Sequence, residues 1–389
     1  MPAPGRPRLG AAGLLAVLVA LGVAPALELR WRRVLQPPRD DWRRVPVRRR
    51  EGCRLGVSYR PLQARALGLE PSWVLRRLLD LEIESVRVGA YWDRIEREPG
   101  TLELGALDAT LDAAAQAGKR VVLAVGAVKT FGYPEHFIPR RLAPEGLPEG
   151  SVITSASHPE LHRAALDFVS ALVQRYREYD CVSAWQVENE ALDPLGWEHS
   201  WRLSREFVQA EVAAVRHLDP GRPVVLNGYV PTSLLARLNQ RWRTRGQGDS
   251  LAFALHLADS VGLDIYPRNA LLGRGGRSLY LSGAQLPWNR IDWRRLRAAA
   301  GARKSQLVVT EGQAEPWETT TVPPDMVPQT PYSCGPERLI LNYNLALGPP
   351  GAPPAVSDYF FWGLEYWLRR ESLGDPSYMD AFARILRES

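Results

Sequence analysis

The stretch AWQVENEAL, residues 184–192, begins as an apolar run and ends on Glu188, Asn189 and Glu190. Its apolar part reads as a buried strand. Carboxylates at the end of a buried element are costly to desolvate unless something there uses them. The stretch therefore predicts a strand whose C-terminal end opens on a functional site.

Working outward, the same pattern recurs from about residue 54. Strand candidates are RLGVSY (54–59), ESVRVGAY (84–91), RVVLAVGAV (120–128) and CVSAWQVEN (181–189), then RPVVLNGY (222–229), SVGLDIYP (260–267), QLVVTEG (306–312) and SDYFFWGLEY (357–366). Between them lie stretches with apolar residues at three- and four-residue steps, such as 71–82, 106–118 and 160–179. Alternating strands and helices, with the strands read as fully apolar, imply a parallel sheet covered by helices. Eight units are the number that closes a (β/α)₈ TIM barrel of roughly this size. An open doubly wound sheet is the rival, but no G-x-G-x-x-G follows the first strand. The reading is an α/β chain with a single catalytic barrel domain over 52–389.

Two segments precede that domain. Residues 9–27, LGAAGLLAVLVALGVAPAL, carry no charge, and 1–27 reads as a signal peptide or a membrane anchor. Residues 28–51 read as an Arg-rich linker that either lies on anionic head groups or is solvated. Six arginines between 30 and 44, against two before the apolar run, oppose an extracytoplasmic placement by the positive-inside rule. The expectation is nonetheless a secreted or membrane-anchored protein with possible membrane association through this segment. The net charge of +6 arises in this arm: residues 1–50 carry +8, the rest −2. The pI therefore does not mark the folded body as a nucleic-acid binder. Cys53, Cys181 and Cys334 make neither a metal motif nor a disulfide framework.

Glu190 ends the fourth strand and Glu311, in LVVTEGQAEPW, ends the seventh. A barrel places both on one rim, across the mouth. Two carboxylates across a cleft are what glycosidic bond cleavage needs, one giving a proton to the leaving oxygen and the other attacking the anomeric carbon. The competing reading is that both are rim residues paired with nearby arginines. Other barrel chemistries fare worse. The six histidines include no pair on one strand at metal-ligand spacing, and none of Lys119, Lys129 and Lys304 sits inside the sixth strand. No metal or organic cofactor is expected.

Several motifs then fall in a familiar order: VRVGAYWDRIEREPG at the second strand, WQVENE at the fourth, LDIYP at the sixth, VVTEGQAEPW at the seventh and FFWGLEYW at the eighth. With these the chain, from about Leu55 to its C-terminus, resembles the large clan of retaining glycoside hydrolases with a (β/α)₈ barrel, the cellulase-like and β-galactosidase-like enzymes. The resemblance implies Glu190 as acid/base and Glu311 as nucleophile. It implies Arg87 and Tyr266 as partners of Glu311, Asn189 on the sugar 2-hydroxyl and Trp362 as the floor under the sugar. It implies an oligosaccharide or glycoside substrate with β linkages. Two departures stand out. Ala191 follows the acid/base where many relatives have Pro, and FGYPEH (131–136) replaces a Trp-Pro-Glu stretch, leaving Tyr133 in place of a sugar-stacking tryptophan.

Within the motifs some rivals remain. Glu188 shares the side of Glu190 on an ideal strand, but would sit deeper. Glu315 lies four residues beyond Glu311, in a loop. Trp92, Trp197, Trp317, Tyr332 and Trp367 are candidates for stacking on sugar faces, with ordinary packing as the default for each. Asp93, Glu96 and His136 are rim-loop candidates for binding hydroxyls, with solvated charge as the default. Long loops at 129–158, 267–290 and 312–334 favour a pocket or short cleft. A catalytically inactive glycan-binding barrel and a transglycosylase are the alternatives.

Overall fold

The computed structural model describes residues 22–23, 26–194, 199–244, 246–320 and 325–389. Most of the apolar run at 9–27 and Trp197 lie outside the described residues. All eight predicted strands form: β1 (Arg54–Tyr59), β2 (Ser85–Gly89), β3 (Arg120–Ala124), β4 (Val182–Gln186), β5 (Val224–Tyr229), β6 (Ser260–Ile265), β7 (Gln306–Gln313) and β8 (Asp358–Trp362). Each pairs in parallel with its sequence neighbours, β8 pairs back to β1, and the barrel is closed. The chain is thus a (β/α)₈ barrel, not an open sheet.

Helices cover the outside. Their starts are set by local chemistry: Ser204 accepts from the Phe207 amide at 3.3 Å to begin Arg205–Leu218, and Asp249 accepts from the Ala252 amide at 2.7 Å to begin Ser250–Leu257. The main core lies between helices and strands, where Val121, Leu123, Trp185, Val261 and Val309 pack against residues such as Phe168, Val173 and Phe253. The barrel interior differs from the fully apolar strands that the sequence suggested. Its lower layer is apolar, with Ala184, Val225 and Val308 against Val122. Above it the inward positions are polar and buried: Arg87 of β2, Gln186 of β4, Asn227 of β5, Asp264 of β6 and Thr310 of β7. Gly262 leaves the space for this layer, because a Cβ there would lie 2.5 Å from that of Asn227 and 2.7 Å from the Thr310 hydroxyl.

The segment read as an Arg-rich linker is packed on the barrel. Leu29–Arg33 pairs antiparallel with Arg277–Leu281, which pairs with Asn269–Arg274, giving a three-stranded sheet on the loop after β6. Leu35–Gln36 pairs with Thr330–Pro331, and Trp42 is buried. Glu28 fastens the start of this strap. Its carboxylate accepts from the Leu234 and Leu235 amides at 2.9 and 3.2 Å, capping the helix Leu234–Thr244, and from Asn289 Nδ2 at 2.6 Å and Trp288 Nε1 at 3.1 Å. Burial pushes this carboxyl up, but the four donors outweigh it and hold it below the usual range. No helix among the described residues is long and apolar enough to cross a membrane.

Because Glu28 answers four donors, Glu28→Ala should remove roughly 1–3 kcal/mol of stability. Chemical denaturation measures that loss, and limited trypsin digestion should cut faster at Arg30, Arg32 and Arg33. Unchanged cleavage there would show that the strap is held by something else.

Candidate active site

The strand β4 stops at Gln186, two residues before the first glutamate. The chain then turns through left-handed conformations at Glu188 (φ 56°) and Glu190 (φ 45°). Such backbone costs about 1–3 kcal/mol per residue and persists only where the surroundings hold it. At Glu188 they do: the carboxylate accepts the Val128 amide at 2.9 Å and the Lys129 amide, tying β4 to the loop after β3. Gly126 makes the approach possible, since a Cβ there would lie 1.9 Å from the Glu188 nitrogen. At Glu190 the amide donates to Asn227 Oδ1 at 3.1 Å, and Lys129 Nζ donates to the Glu190 and Asp193 carbonyls at 3.0 and 3.2 Å. Glu188 is thereby used up in holding the loop, while Glu190 lines the cavity.

Glu311 reaches the same cavity from β7. One of its oxygens accepts from Arg87 Nη1 at 3.0 Å and the other from the Tyr266 hydroxyl at 2.5 Å. Arg87 is fully buried and also donates Nε to Gln186 Oε1 at 2.7 Å, Nη2 to Asn189 Oδ1 at 2.7 Å and Nη1 to the Thr310 carbonyl at 3.2 Å. Its guanidinium carbon lies 3.9 Å from the Phe131 ring centroid. Burial, and then the charge of Glu311, raise the Tyr266 phenol well above its ordinary pKa, so it remains a donor. Asn189 Oδ1 accepts from Asn227 Nδ2 as well, at 2.7 Å. Its amide NH₂ makes no hydrogen bond among the described residues, and the residue lines the cavity. Glu315, the rival to Glu311, is committed elsewhere, accepting both terminal nitrogens of buried Arg60 at 2.6 and 2.7 Å.

A further carboxyl, Asp264, lies beside Glu190 and is fully buried. Thr310 Oγ1 donates to one of its oxygens at 2.6 Å and Asn227 Nδ2 to the other at 2.6 Å. Burial, then the Glu311 carboxyl, push Asp264 well above the usual carboxylate range as well, opposed by Arg87 and by hydrogen bonds from Thr310 and Glu190. The two carboxyls therefore titrate as a pair, with the proton between them on Glu190. Burial first, then the Asp264, Asp193 and Glu311 carboxyls, push Glu190 well above the usual carboxylate range.

The cavity, of about 550 Å³, is walled by the segments after β3 to β7 and by the end of β8. Besides Asn189, Glu190, Tyr266 and Glu311, it is lined by Tyr133, Trp317 and Trp362. Trp362 has the Arg60 guanidinium over its ring at 4.2 Å, and Arg60 is fixed by Glu365 as well as Glu315. His136 is not brought to the cavity. Its ring packs edge-on against Trp201 and His199, with centroids 5.6 and 6.2 Å away. Trp92 stacks on Phe168 in the core and donates to Glu96, and Trp367 donates to the Ala314 carbonyl. Tyr332 lies under Arg268.

The sequence reading does not single out Gln186, Asn227 and Asp264, all buried, or Glu135, which lines the cavity. Lys129, considered there only for a Schiff base, is buried and holds the turn after β4. The available signal was a polar residue interrupting an apolar strand, as in VVLNGY and GLDIYP. Burial, opposed by Lys129 and reinforced by Glu311, pushes the Glu135 carboxyl up to about 7.

With this geometry in place, comparison with known proteins is informative. The β-galactosidase family of glycoside hydrolases matches residues 72–245, a span that holds Arg87, Asn189 and Glu190. No curated protein sequence matches the chain significantly. Among solved structures, a GH5_18 protein from Streptomyces cattleya in complex with GlcNAc superposes with a TM-score of 0.53 at 15% identity, covering 88% of this chain and 82% of that one. The cold-adapted β-galactosidase from Rahnella sp. R3 gives 0.51 at 14% identity, covering 88% and 56%. The chain spans about half the length of that β-galactosidase and of another from Marinomonas ef1, 53% of which is covered. At these identities the structural likeness speaks for the fold. The chain thus has the closed (β/α)₈ fold of the glycoside hydrolase clan and, over residues 72–245, a sequence similar to its β-galactosidase family.

Proposed function

We propose that the protein is a retaining O-glycosidase acting on β-linked glycosides, with Glu190 as acid/base and Glu311 as nucleophile. The observation that carries this reading is the unequal treatment of two carboxyls lining one cavity. Glu190 is surrounded by other carboxyls and holds its proton, while both Glu311 oxygens face donors. Such a difference in environment divides acid from nucleophile.

In the first step the Glu190 proton goes to the glycosidic oxygen as Glu311 forms a bond to the anomeric carbon. The C–O bond to the leaving group breaks, the alcohol departs, and a glycosyl ester on Glu311 remains. In the second step Glu190, now a carboxylate, takes a proton from water. The water oxygen attacks the anomeric carbon, and Glu311 leaves. Arg87 and Tyr266 fix the orientation of Glu311 for both steps. Asn189, with its Oδ1 occupied by Arg87 and Asn227, presents its NH₂ to a sugar hydroxyl. Trp362, backed by Arg60, supplies a flat apolar surface under the ring.

Two outcomes test these roles. With aryl β-glycosides whose leaving groups need no proton, Glu190→Ala should retain the first step and regain turnover with azide. With alkyl glycosides it should lose about 10²–10⁴-fold. Glu311→Ala should be inactive on both. Equal residual activity in the two variants would overturn the assignment.

The second test is pH dependence. The reaction needs protonated Glu190, so activity is full below the raised pKa and falls as pH climbs through it. Asp264→Asn removes a neighbouring carboxyl that pushes Glu190 up and should lower that pKa, moving the alkaline limb of kcat/KM to lower pH. A limb that stays in place would show that Asp264 does not set the acid's protonation.

A further inference from the structure

The three-stranded sheet formed by Leu29–Arg33, Arg277–Leu281 and Asn269–Arg274 presents an outer face with an ordered chemistry. Cross-strand partners share a face, so its rows follow from the register. One row is Trp31, Leu279 and Leu272, and the next is Arg33, Arg277 and Arg274. Trp31 is 47% exposed and Leu272 62%, with Leu271 beside it at 53%. All three arginines of the second row are exposed, and none has a carboxylate partner among the described residues. A soluble surface seldom places large apolar side chains side by side with nothing over them. A tryptophan–leucine row bordered by arginines matches the layering of a bilayer interface, acyl boundary below and anionic head groups above.

Two further observations name the occupant. The uncharged run Leu9–Leu27 ends four residues before Trp31, so a bilayer that holds this run lies within about 14 Å of the face. The face also borders the active site. Leu271 lines the catalytic cavity and, with Arg33, Arg274 and Arg277, an adjoining groove of about 880 Å³. On this side the cavity wall carries Leu235, Ala236, Ala270, Leu271 and Leu281, beside Asn269 and Trp317. Aliphatic side chains offer no stacking platform for a sugar ring, but they suit an alkyl chain.

We propose that this sheet docks on an anionic lipid bilayer, and that the cavity takes the sugar of a glycoside whose aglycone is a lipid held in that bilayer. The substrate half of the inference rests on the glycosidase reading above; the docking half does not. The aglycone's alkyl chain runs from the glycosidic oxygen past these aliphatic side chains to Leu271 and out beside Leu272. The arginine row meets the lipid phosphates. A second copy of the chain or a protein partner would need a complementary apolar row, and the arginines disfavour like-charged self-association.

The full chain carrying Leu272→Cys, labelled with a polarity-sensitive fluorophore, reads the face directly. The unsubstituted chain corrects for the partly exposed Cys181, and Lys304→Cys, at the opposite end of the barrel, is the control. Vesicles of phosphatidylcholine and phosphatidylglycerol should shift the label at 272 to the blue and leave that at 304 unchanged. High salt should weaken the shift. Binding of the chain with no shift at 272 would place the apolar run alone in the lipid and overturn the proposal. A shift that needs no vesicles and grows with protein concentration would assign the face to a second copy, which also overturns it. In a second arm, Trp31→Glu with Leu272→Glu should slow hydrolysis of a long-chain alkyl β-glycoside embedded in the vesicles at least tenfold, with a soluble aryl β-glycoside unaffected. Equal slowing of both would overturn the substrate half. A lipid-dependent shift with neither glycoside turned over would uphold docking and count against the glycosidase reading instead.

Discussion

Everything at the centre of this barrel is arranged around one buried charge, the guanidinium of Arg87. A cation taken out of water is strongly unfavourable unless it is paired and hydrogen-bonded. Here the lumen supplies Gln186 from β4, Asn189 from the turn after it, and Glu311 and the Thr310 carbonyl from β7. The requirement works in both directions. Satisfying Arg87 fixes the rotamers of Glu311 and Asn189, and those two residues are what a substrate in the cavity meets. Asn227 extends the network by linking Asn189 to Asp264 and accepting the Glu190 amide. Glu190 and Glu311 are thus positioned by one connected set of hydrogen bonds, in which half-satisfied members would be expensive.

The fold was legible in the sequence because eight apolar runs alternate with amphipathic ones, and only a closed parallel barrel buries eight such strands without edges. Glu190 and Glu311 were legible as carboxylates closing apolar runs, whereas Arg87, Asn189, Tyr266 and Trp362 were named through the family resemblance. The structure brings Arg87 and Tyr266 to Glu311 and lines one cavity with Asn189, Glu190, Tyr266, Glu311 and Trp362. Alternation could not separate Glu188 from Glu190, since it assumes a continuous strand. The strand stops at Gln186 and positive φ angles re-aim both side chains. The polar lumen was missed because Gln186, Asn227 and Asp264 were counted as parts of apolar runs. His136 was nominated by its loop, and the loop's own packing against Trp201 turns it away. The strap at 28–51 looked like a linker because arginines and prolines dominate it. Its few anchors, Glu28 and Trp42, find partners hundreds of residues away that no local pattern reveals.

Asp264 gives the site a second level of control. Its two oxygens are held by Thr310 and Asn227 next to Glu190. Together with Asp193 it pushes Glu190 up, and in the two steps proposed above both carboxyls would stay beside Glu190 while the Glu311 charge is lost on forming the glycosyl ester.

In the mechanism proposed above, Glu311 forms a covalent bond to the sugar while Glu190 handles the proton. Incubating the enzyme with activated 2-deoxy-2-fluoro-β-glycosides, which slow release of the ester, and mapping the labelled peptide by mass spectrometry tests it most directly. One sugar per chain should be found, on the peptide containing Glu311, with the label lost in Glu311→Gln and kept in Glu190→Gln. A label on Glu190, Glu315 or Glu135, or hydrolysis that proceeds with inversion and no adduct, would contradict it.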